Sequence, residues 1–170
     1  MPTSKANGTP SLFAPFHVVV VQSPIGRMWV ESDGAFITRL SFSALPGRAS
    51  RPPVLLQQAQ RQLKAYFAGT LKEFDLPVQQ LGTRFQKLVW EAVVHIPHGR
   101  TRSYQAIGTD IGGKALGRTV GHACGSNPIP IIVPCHRVIA SDGLLTGYVG
   151  GLWRKKWLLE HEGALPKEVF

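Results

Sequence analysis

The sequence predicts an α+β fold in which a small antiparallel sheet with one helix precedes a mostly helical part containing a helix-turn-helix. Three observations predict it. Short β-branched runs lie between residues 16 and 42, apolar residues recur at helical spacing from Val54 onward, and a Gly-Gly pair at 112–113 separates two short helical segments. We divide the chain into domains at residues 1–78 and 79–170, with residues 1–12 as a disordered tail.

The N-terminal sheet is predicted from three short runs separated by turn residues. The runs cover residues 16–21, 27–31 and 35–42, and Asp33-Gly34 between the last two is a strong hairpin signal. Because each run is short and each connection is tight, the three strands are expected to form an antiparallel meander.

A helix is predicted to pack across this sheet. It ends at Gly69, and its apolar face consists of Leu56, Ala59, Leu63 and Phe67. Residues 75–82, which include Pro77, read as a linker to the second domain.

The second domain is predicted to consist of short helices. Thr83 and Gln86 form a capping box that starts the first of them. Residues 102–111 and 115–125 flank the Gly-Gly pair as in a helix-turn-helix, although an ordinary helical hairpin has the same pattern. An amphipathic helix after Gly150 completes the domain.

A single thiol is the candidate nucleophile. Cys135 follows residues 129–133, an apolar run predicted to be a short buried strand, and precedes a glycine-rich stretch typical of a ligand-binding loop. His136 is placed to draw off the thiol proton, but neighbouring side chains of an extended chain point to opposite faces. Either the chain turns after Pro134 or a water molecule bridges the two groups, and a third group must orient the imidazole.

Composition restricts the partners. With 19 Lys and Arg against 10 Asp and Glu, the formal net charge of +9 favours a polyanion and salt-dependent binding. Cys124 and Cys135 lie near two histidines, but their spacing fits no usual zinc pattern, so we predict no metal. No apolar run has transmembrane length, and residues 1–10 lack the order of a signal peptide, which predicts a cytoplasmic protein without a membrane partner.

Three motifs carry a resemblance to a known family. They are Asn127-Pro128, the run Ile131-Ile132-Val133-Pro134-Cys135-His136-Arg137-Val138-Ile139, and the loop Gly147-Tyr148-Val149-Gly150-Gly151. Together they resemble the O6-alkylguanine-DNA alkyltransferases, in particular the bacterial single-protein form, over about residues 85–162. The N-terminal half matches much more weakly and is compatible with the ribonuclease-H-like sheet that supports the active domain in that family.

The resemblance implies DNA repair by a single-turnover methyltransferase. Such a protein flips O6-alkylguanine, with O4-alkylthymine as a second candidate, out of duplex DNA and transfers the alkyl group irreversibly to its own Cys135. A soft thiolate suits attack on a saturated carbon, and no cofactor is implied. The expected partner is double-stranded DNA containing alkylated bases, and the protein is expected to be monomeric.

The resemblance also implies roles for individual residues. Glu162 would orient His136, although an acid in the last turn of a helix is disfavoured by the helix dipole and is more often exposed. Tyr104 would donate to the leaving guanine, and Asn127 would orient the backbone or the Cys-His pair. Arg118 would enter the duplex from the minor groove and fill the space of the flipped nucleotide. The other expected DNA contacts are Ser103, Lys114, Ala115, Thr119 and Gly121, and the expected base pocket consists of Val133, Pro134, Tyr148, Val149, Gly150 and Gly151.

Three positions depart from the family pattern. Lys114 stands where a proline often opens the second helix, and Gly117 replaces a usual alanine at a cost in helix stability. Val149 stands where some relatives have serine, a hydrogen-bond donor to the exocyclic oxygen. Val149 therefore predicts more reliance on backbone N–H groups and a tolerance of bulkier alkyl groups.

Three other functions compete with alkyl transfer as explanations of these motifs. A lesion-binding alkyltransferase-like protein would lack the active cysteine, which Cys135 argues against. A helix-turn-helix transcription factor would bind intact DNA with sequence preference and keep Cys135 as a structural residue. A cysteine hydrolase is supported only by the Cys-His pair and would turn over ester or peptide substrates.

Overall fold

The computed structural model describes residues 16–47, 51–112 and 117–166. The predicted N-terminal tail and the expected DNA contacts Lys114 and Ala115 lie outside these residues. Within them the chain has the predicted α+β architecture, an antiparallel sheet with one helix followed by further helices.

The N-terminal sheet is an antiparallel meander, as predicted. Strands β1 (His17–Ser23), β2 (Gly26–Ser32) and β3 (Ile37–Ser41) pair in the order β1-β2-β3. The Asp33 carboxylate shapes the connection between β2 and β3 by accepting hydrogen bonds from the backbone N–H groups of Ala35 and Phe36.

Helix α1 (Val54–Phe67) packs on β1 and β2 and ends just before Gly69, whose φ of +80° is the left-handed conformation common after a helix. The fully buried residues of its apolar stripe are Leu56, Ala59, Leu63 and Tyr66. Tyr66 thus takes the core position that the sequence pattern assigned to Phe67, which is only half-buried.

The predicted linker is attached to the sheet. The N–H of Ile37 donates to the carbonyl of Pro77 (2.8 Å), and the N–H of Gln79 donates to the carbonyl of Ile37 (3.0 Å). The Gln62 side-chain amide holds the start of the segment, since it donates to the carbonyl of Asp75 and accepts from the N–H of Asp75. These contacts cover the edge of β3, which would otherwise offer unpaired N–H and C=O groups.

The C-terminal part contains four α-helices within the described residues. They are α2 (Arg84–Val94), α3 (Tyr104–Asp110), α4 (Gly117–Gly125) and α5 (Leu152–His161). Helices α2, α3 and α4 pack on one another, and the connection between α3 and α4 includes residues outside the described ranges. No helix in residues 16–47, 51–112 or 117–166 is long and apolar enough to cross a membrane.

Two local features fix the ends of these elements. The predicted capping box is present, because the side chains of Thr83 and Gln86 each accept a hydrogen bond from the backbone N–H of the other. Two short strands, β4 (Arg102–Ser103) and β5 (Val138–Ile139), pair in parallel and join the start of α3 to the segment after Cys135.

The prediction of a strand at residues 129–133 is wrong. This segment is a tight turn in which the N–H of Val133 donates to the carbonyl of Ile129 (3.0 Å) and Ile131 has a φ of 73°. Prolines within and around the segment remove backbone donors, and the Asn127 side chain pairs with the N–H of Ile129 and the carbonyl of Val133. The run is apolar because its side chains are buried, not because the backbone is extended.

Candidate active site

A cleft of about 560 Å³ opens between α3, α4 and the loop that follows β5. Cys135 lies in its wall and is 4% exposed, so the thiol faces the cleft but little bulk solvent. The lining residues are Tyr104, Gln105, Gly117, Arg118, Gly121, Cys124, Gly125, Cys135, Ala140, Ser141, Thr146, Gly147, Tyr148 and Val149.

The chain turns after Pro134, which settles how Cys135 and His136 are arranged. Residues Cys135–Arg137 form one turn of 3₁₀-helix, and the N–H of Arg137 donates to the carbonyl of Pro134 (3.0 Å). Successive side chains of such a turn point in different directions. Cys135 therefore faces the cleft, whereas His136 points into the protein toward the end of α5 and is fully buried.

Glu162 is the acceptor at the centre of a buried network. Its Oε1 accepts hydrogen bonds from His136 Nε2 (2.8 Å), Arg137 Nη2 (2.9 Å) and the Tyr66 hydroxyl (2.8 Å), and its Oε2 accepts one from Arg137 Nε (2.9 Å). Glu162 is 7% exposed, so it is not the exposed carboxylate that is more common at such a helix end. The Arg137 guanidinium supplies the positive charge that offsets the unfavourable helix dipole.

This network determines the protonation of the histidine. Burial by itself would raise the pKa of Glu162, but hydrogen bonds from His136 and Arg137, and their charges, hold it well below its usual value. The ionised carboxylate only accepts, so His136 carries its proton at Nε2 and a lone pair at Nδ1. Burial also lowers the pKa of His136, which keeps the ring neutral at pH 7. Nδ1 is buried without a hydrogen-bond partner among the described residues.

The thiol of Cys135 is protonated in this state. Burial raises its pKa to about 11, while a hydrogen bond with the Asn127 side chain and the charge of Lys155 act in the opposite direction. Asn127 is 3% exposed and also holds the turn that precedes the thiol. A reaction at Cys135 therefore needs a proton acceptor close to the sulfur.

Tyr104 enters the cleft from the first residue of α3. Its hydroxyl donates to the carbonyl of Thr146 (2.8 Å) and accepts from Lys155 Nζ (3.1 Å). Lys155 is 1% exposed and also donates to the carbonyls of Val138 (2.6 Å), Thr146 (3.3 Å) and Gly147 (3.2 Å). A buried ammonium group thus supports both the tyrosine and the loop beside the cleft.

The expected DNA contacts that the structure describes fall into two groups. Arg118 and Gly121 line the cleft from α4, and Thr119 is exposed on the same helix. Ser103 has a structural contact, because its Oγ accepts a hydrogen bond from the N–H of Ala106 (3.0 Å) and caps α3.

The six residues expected to form the base pocket are not brought together. Tyr148 and Val149 line the cleft, whereas Val133 and Pro134 line a separate depression together with His98. Gly150 packs against Phe42, whose ring would lie 2.7 Å from an added Cβ, and Gly151 is the N-cap of α5. The turn after Pro134 explains the separation, since it directs Cys135 to one side of the backbone and the residues before it to the other.

The sequence pattern does not single out three residues of this site. Arg137 lies in the motif around Cys135 but has no role there until its partner Glu162 is known. Lys155 shares the buried stripe of α5 with two leucines, and a lysine in an apolar stripe is a signal that points to it. Tyr66 has no local signal, because its partner lies 96 residues further along the chain.

Two family models match the chain. Residues 17–80 match the ribonuclease-like domain of 6-O-methylguanine DNA methyltransferase, and residues 84–164 match the DNA binding domain of the same family. The first match includes most of the linker that covers β3, and the second begins just after it.

Relatives of known name match over most of their length. The chain is 46% identical over 151 residues to a methylated-DNA–protein-cysteine methyltransferase from Mycobacterium bovis, which covers 86% of this chain and 92% of the relative. It is 42% identical over 154 residues to the protein of the same name from Methanosarcina acetivorans, a match that covers 87% of this chain and 99% of the relative.

Solved structures match the fold as well. The Mycobacterium tuberculosis O6-methylguanine methyltransferase superposes with a TM-score of 0.79 at 44% identity, covering 91% of this chain and 97% of that one. The structure of Mycobacterium tuberculosis OGT in complex with DNA gives a TM-score of 0.78 at 46% identity, covering 86% and 92%. These matches confirm the predicted α+β fold class.

Proposed function

The chain belongs to the 6-O-methylguanine DNA methyltransferase family, and on this premise we propose that it repairs DNA by transferring the alkyl group of O6-alkylguanine to Cys135. The observation that carries the proposal is the Cys135 thiol in the wall of the cleft, with the His136–Glu162 pair behind it. The product is a thioether, which is stable in water, so one protein molecule removes one lesion.

Transfer is a displacement at a saturated carbon. The sulfur of Cys135 forms a bond to the alkyl carbon while the bond from that carbon to O6 of guanine breaks. The thiol proton passes to Nδ1 of His136 through a water molecule shared by both groups, and Glu162 stabilises the resulting imidazolium. This route is supported by the lone pair at the buried Nδ1, which is unpartnered among the described residues.

The leaving guanine is stabilised by Tyr104 and Lys155. As the base enters, the tyrosine hydroxyl turns its proton from the carbonyl of Thr146 to the ring edge of the guanine, while Lys155 keeps donating to the tyrosine oxygen. The guanine anion takes the proton of the Tyr104 hydroxyl, the tyrosine regains a proton from solvent, and His136 releases the thiol proton to solvent. The products are therefore neutral guanine and the thioether, with both side chains restored.

The base reaches the cleft by leaving the duplex. Arg118 is exposed at the cleft on α4, a position that supports its role of filling the vacated space in the stack. Thr119 and Gly121 on the same helix contact the DNA backbone together with Ser103, Lys114 and Ala115. A double-stranded DNA partner is supported by the relative solved in complex with DNA and by the net charge of +9.

Several properties of the whole protein belong to the same proposal. The domain division between residues 78 and 79 is supported by the two family matches, since the first ends at residue 80 and the second begins at residue 84. All groups of the reaction come from one chain, which supports action as a monomer. A cytoplasmic location follows from the genomic substrate.

Val149 is 51% exposed in the wall of the cleft, which supports acceptance of alkyl groups larger than methyl.

Mass spectrometry tests the proposal. Equimolar protein is mixed with a duplex containing one O6-methylguanine, and the peptide that carries Cys135 is expected to gain one CH2 unit, stoichiometrically and only with the lesion. Cys135→Ser should bind the duplex without reacting. Cys124→Ser removes the other thiol of the cleft and should react like the wild type. Binding without modification of Cys135 would instead favour a lesion sensor or a transcription factor.

A further inference from the structure

Tyr66 connects the N-terminal part of the chain to the Cys-His-Glu site. It lies near the end of α1, is fully buried, and its hydroxyl donates to Glu162 Oε1 (2.8 Å). The same oxygen accepts from His136 Nε2 (2.8 Å). The phenol and the imidazole therefore share one carboxylate oxygen, and a change in the first hydrogen bond alters the second.

The tyrosine acts only as a donor in this contact. Burial first, and the negative charge of Glu162 second, raise the pKa of Tyr66 far above its usual range, so the hydroxyl keeps its proton at neutral pH. The ionised carboxylate has no proton to give. The contact is a charge-assisted hydrogen bond that withdraws negative charge from the oxygen facing His136.

The direction of the hydroxyl is fixed by the packing of the ring. The Tyr66 ring centroid lies 5.1 Å from that of Phe67, 5.4 Å from Phe74 and 5.2 Å from His161. The side chain of His161 also contacts the Tyr66 carbonyl through Nε2 (2.7 Å). A donor held this firmly can define the geometry of the acceptor it contacts.

We propose that Tyr66 is a positioning residue for alkyl transfer, through which the N-terminal domain sets the geometry and hydrogen bonding of the His136–Glu162 pair. The inference rests on the proposed function and deepens it, because scaffolding is the only role that sequence patterns suggest for this domain. Without the hydroxyl, Glu162 directs more of its negative charge at His136, and the imidazole becomes easier to protonate. A protonated imidazole cannot accept the proton of Cys135.

The titratable and charged groups around this pair come from several elements. They are Tyr66 from α1, His98 from the loop after α2, Cys135 and Arg137 from the 3₁₀ turn, Tyr148 from the glycine-rich loop, and Lys155 and His161 from α5. Replacement of Tyr66 by Phe changes the charge of none of them. A shifted pH profile in that variant therefore reports the lost hydrogen bond.

Tyr66→Phe tests the proposal because it keeps the ring contacts and removes only the hydroxyl. The rate of methyl transfer from a duplex containing O6-methylguanine is measured in single turnover at saturating DNA. The rate on the acidic side of the pH profile is expected to fall about tenfold, because the lost hydrogen bond to a charged group lets more of the imidazole become protonated there. The acidic limb of the pH profile should move to higher pH with DNA affinity unchanged. Thr70→Val removes a hydroxyl just after the same helix that, within the part of the chain the structure describes, bonds only to the Ala65 carbonyl, and this variant should behave like the wild type.

Histidine ¹⁵N NMR of the DNA-free proteins gives a readout that does not depend on alkyl transfer. The His136 ring, assigned with His136→Asn, should titrate at higher pH in Tyr66→Phe than in the wild type. An unchanged titration and pH profile overturn the proposal even if the rate falls, since reduced stability alone lowers a rate. If wild-type Cys135 is not methylated, the proposed function fails, and the NMR titration still decides whether Tyr66 acts on His136.

Discussion

Glu162 serves two partners of different kinds in a space closed to water. Arg137 needs the carboxylate because its guanidinium cannot lose its proton and its side chain is 8% exposed. His136 needs it to keep the proton on Nε2 and the lone pair on Nδ1. One acid thus contributes to the stability of the fold and, in the proposed reaction, to the chemistry of Cys135.

Glu162→Gln is expected to lower the free energy of unfolding by about 3 kcal/mol at pH 7, because it leaves the Arg137 guanidinium buried without a counter-ion. The folded-state pKa of Glu162 lies below its ordinary value of 4.5, so its stabilisation is fully present above that pH and is lost as the pH falls. In denaturant unfolding, the difference in the free energy of unfolding between wild type and variant should therefore decrease below about pH 4.5. A difference in the free energy of unfolding that stays constant in acid would contradict this account.

Cys135 is expected to react slowly with small electrophiles at neutral pH when DNA is absent. Its pKa of about 11 implies a labelling rate that rises about tenfold per pH unit until the solution pH approaches that value. Peptide mass spectrometry after timed exposure to iodoacetamide separates Cys135 from Cys124, whose burial raises its pKa to about 12. A rate that levels off near neutral pH would show that the thiolate is already formed.

Helix α4 carries glycines at positions where packing does not require them. It carries glycines along the cleft, and a Cβ at Gly121 would make only ordinary contacts with the Tyr104 ring, at 3.7 Å. These positions therefore do not need glycine for packing. A helix that gives up propensity without a packing reason is consistent with backbone that must approach DNA.

Gly121→Ala is expected to raise the free energy of unfolding by about 0.5 to 1 kcal/mol, because alanine favours the helix over glycine. The added methyl group should keep α4 away from the groove and weaken binding to a duplex. Thermal unfolding and fluorescence anisotropy measure the two effects on the same sample. A more stable variant with unchanged DNA affinity would contradict close approach at this position.

Helix α2 depends on its capping box. Thr83→Ala removes the acceptor for the N–H of Gln86 and should cost about 1 kcal/mol of stability. Thr109→Ala is the matched control, because among the described residues its hydroxyl bonds only to the carbonyl of Gln105 four residues earlier in α3. Equal midpoints of chemical denaturation for the two variants would contradict the contribution of the cap.

The two halves of the molecule meet at the site as well as in the core. Arg154 of α5 donates to the carbonyl of Ile25 between β1 and β2 (2.8 Å) and to that of Gly150 (2.7 Å), and its guanidinium lies over the Phe42 ring. The glycine-rich loop is therefore attached to the N-terminal sheet. Together with Tyr66, this contact makes the geometry of the cleft depend on both halves.

The positive charge of the whole molecule predicts how DNA affinity responds to salt. The logarithm of the affinity for an undamaged duplex should fall linearly with the logarithm of salt concentration, by about 0.9 for each phosphate contacted. Arg118→Ala should reduce that slope or the affinity at low salt, whereas Arg61→Ala, on the exposed side of α1, should change neither. An equal effect of both substitutions would locate the DNA elsewhere.

Local patterns by themselves determined the meander, the helices and the cap at Thr83, because turn residues, periodicity and capping act over a few neighbouring positions. They also pointed to Cys135, since a nucleophile is recognised by its immediate sequence. The tertiary structure alone decided the turn at residues 129–133, where an apolar run reports burial but not backbone direction. It also decided the placement of Tyr66 and Lys155, because their partners are distant in the chain and no local spacing encodes a contact made through folding.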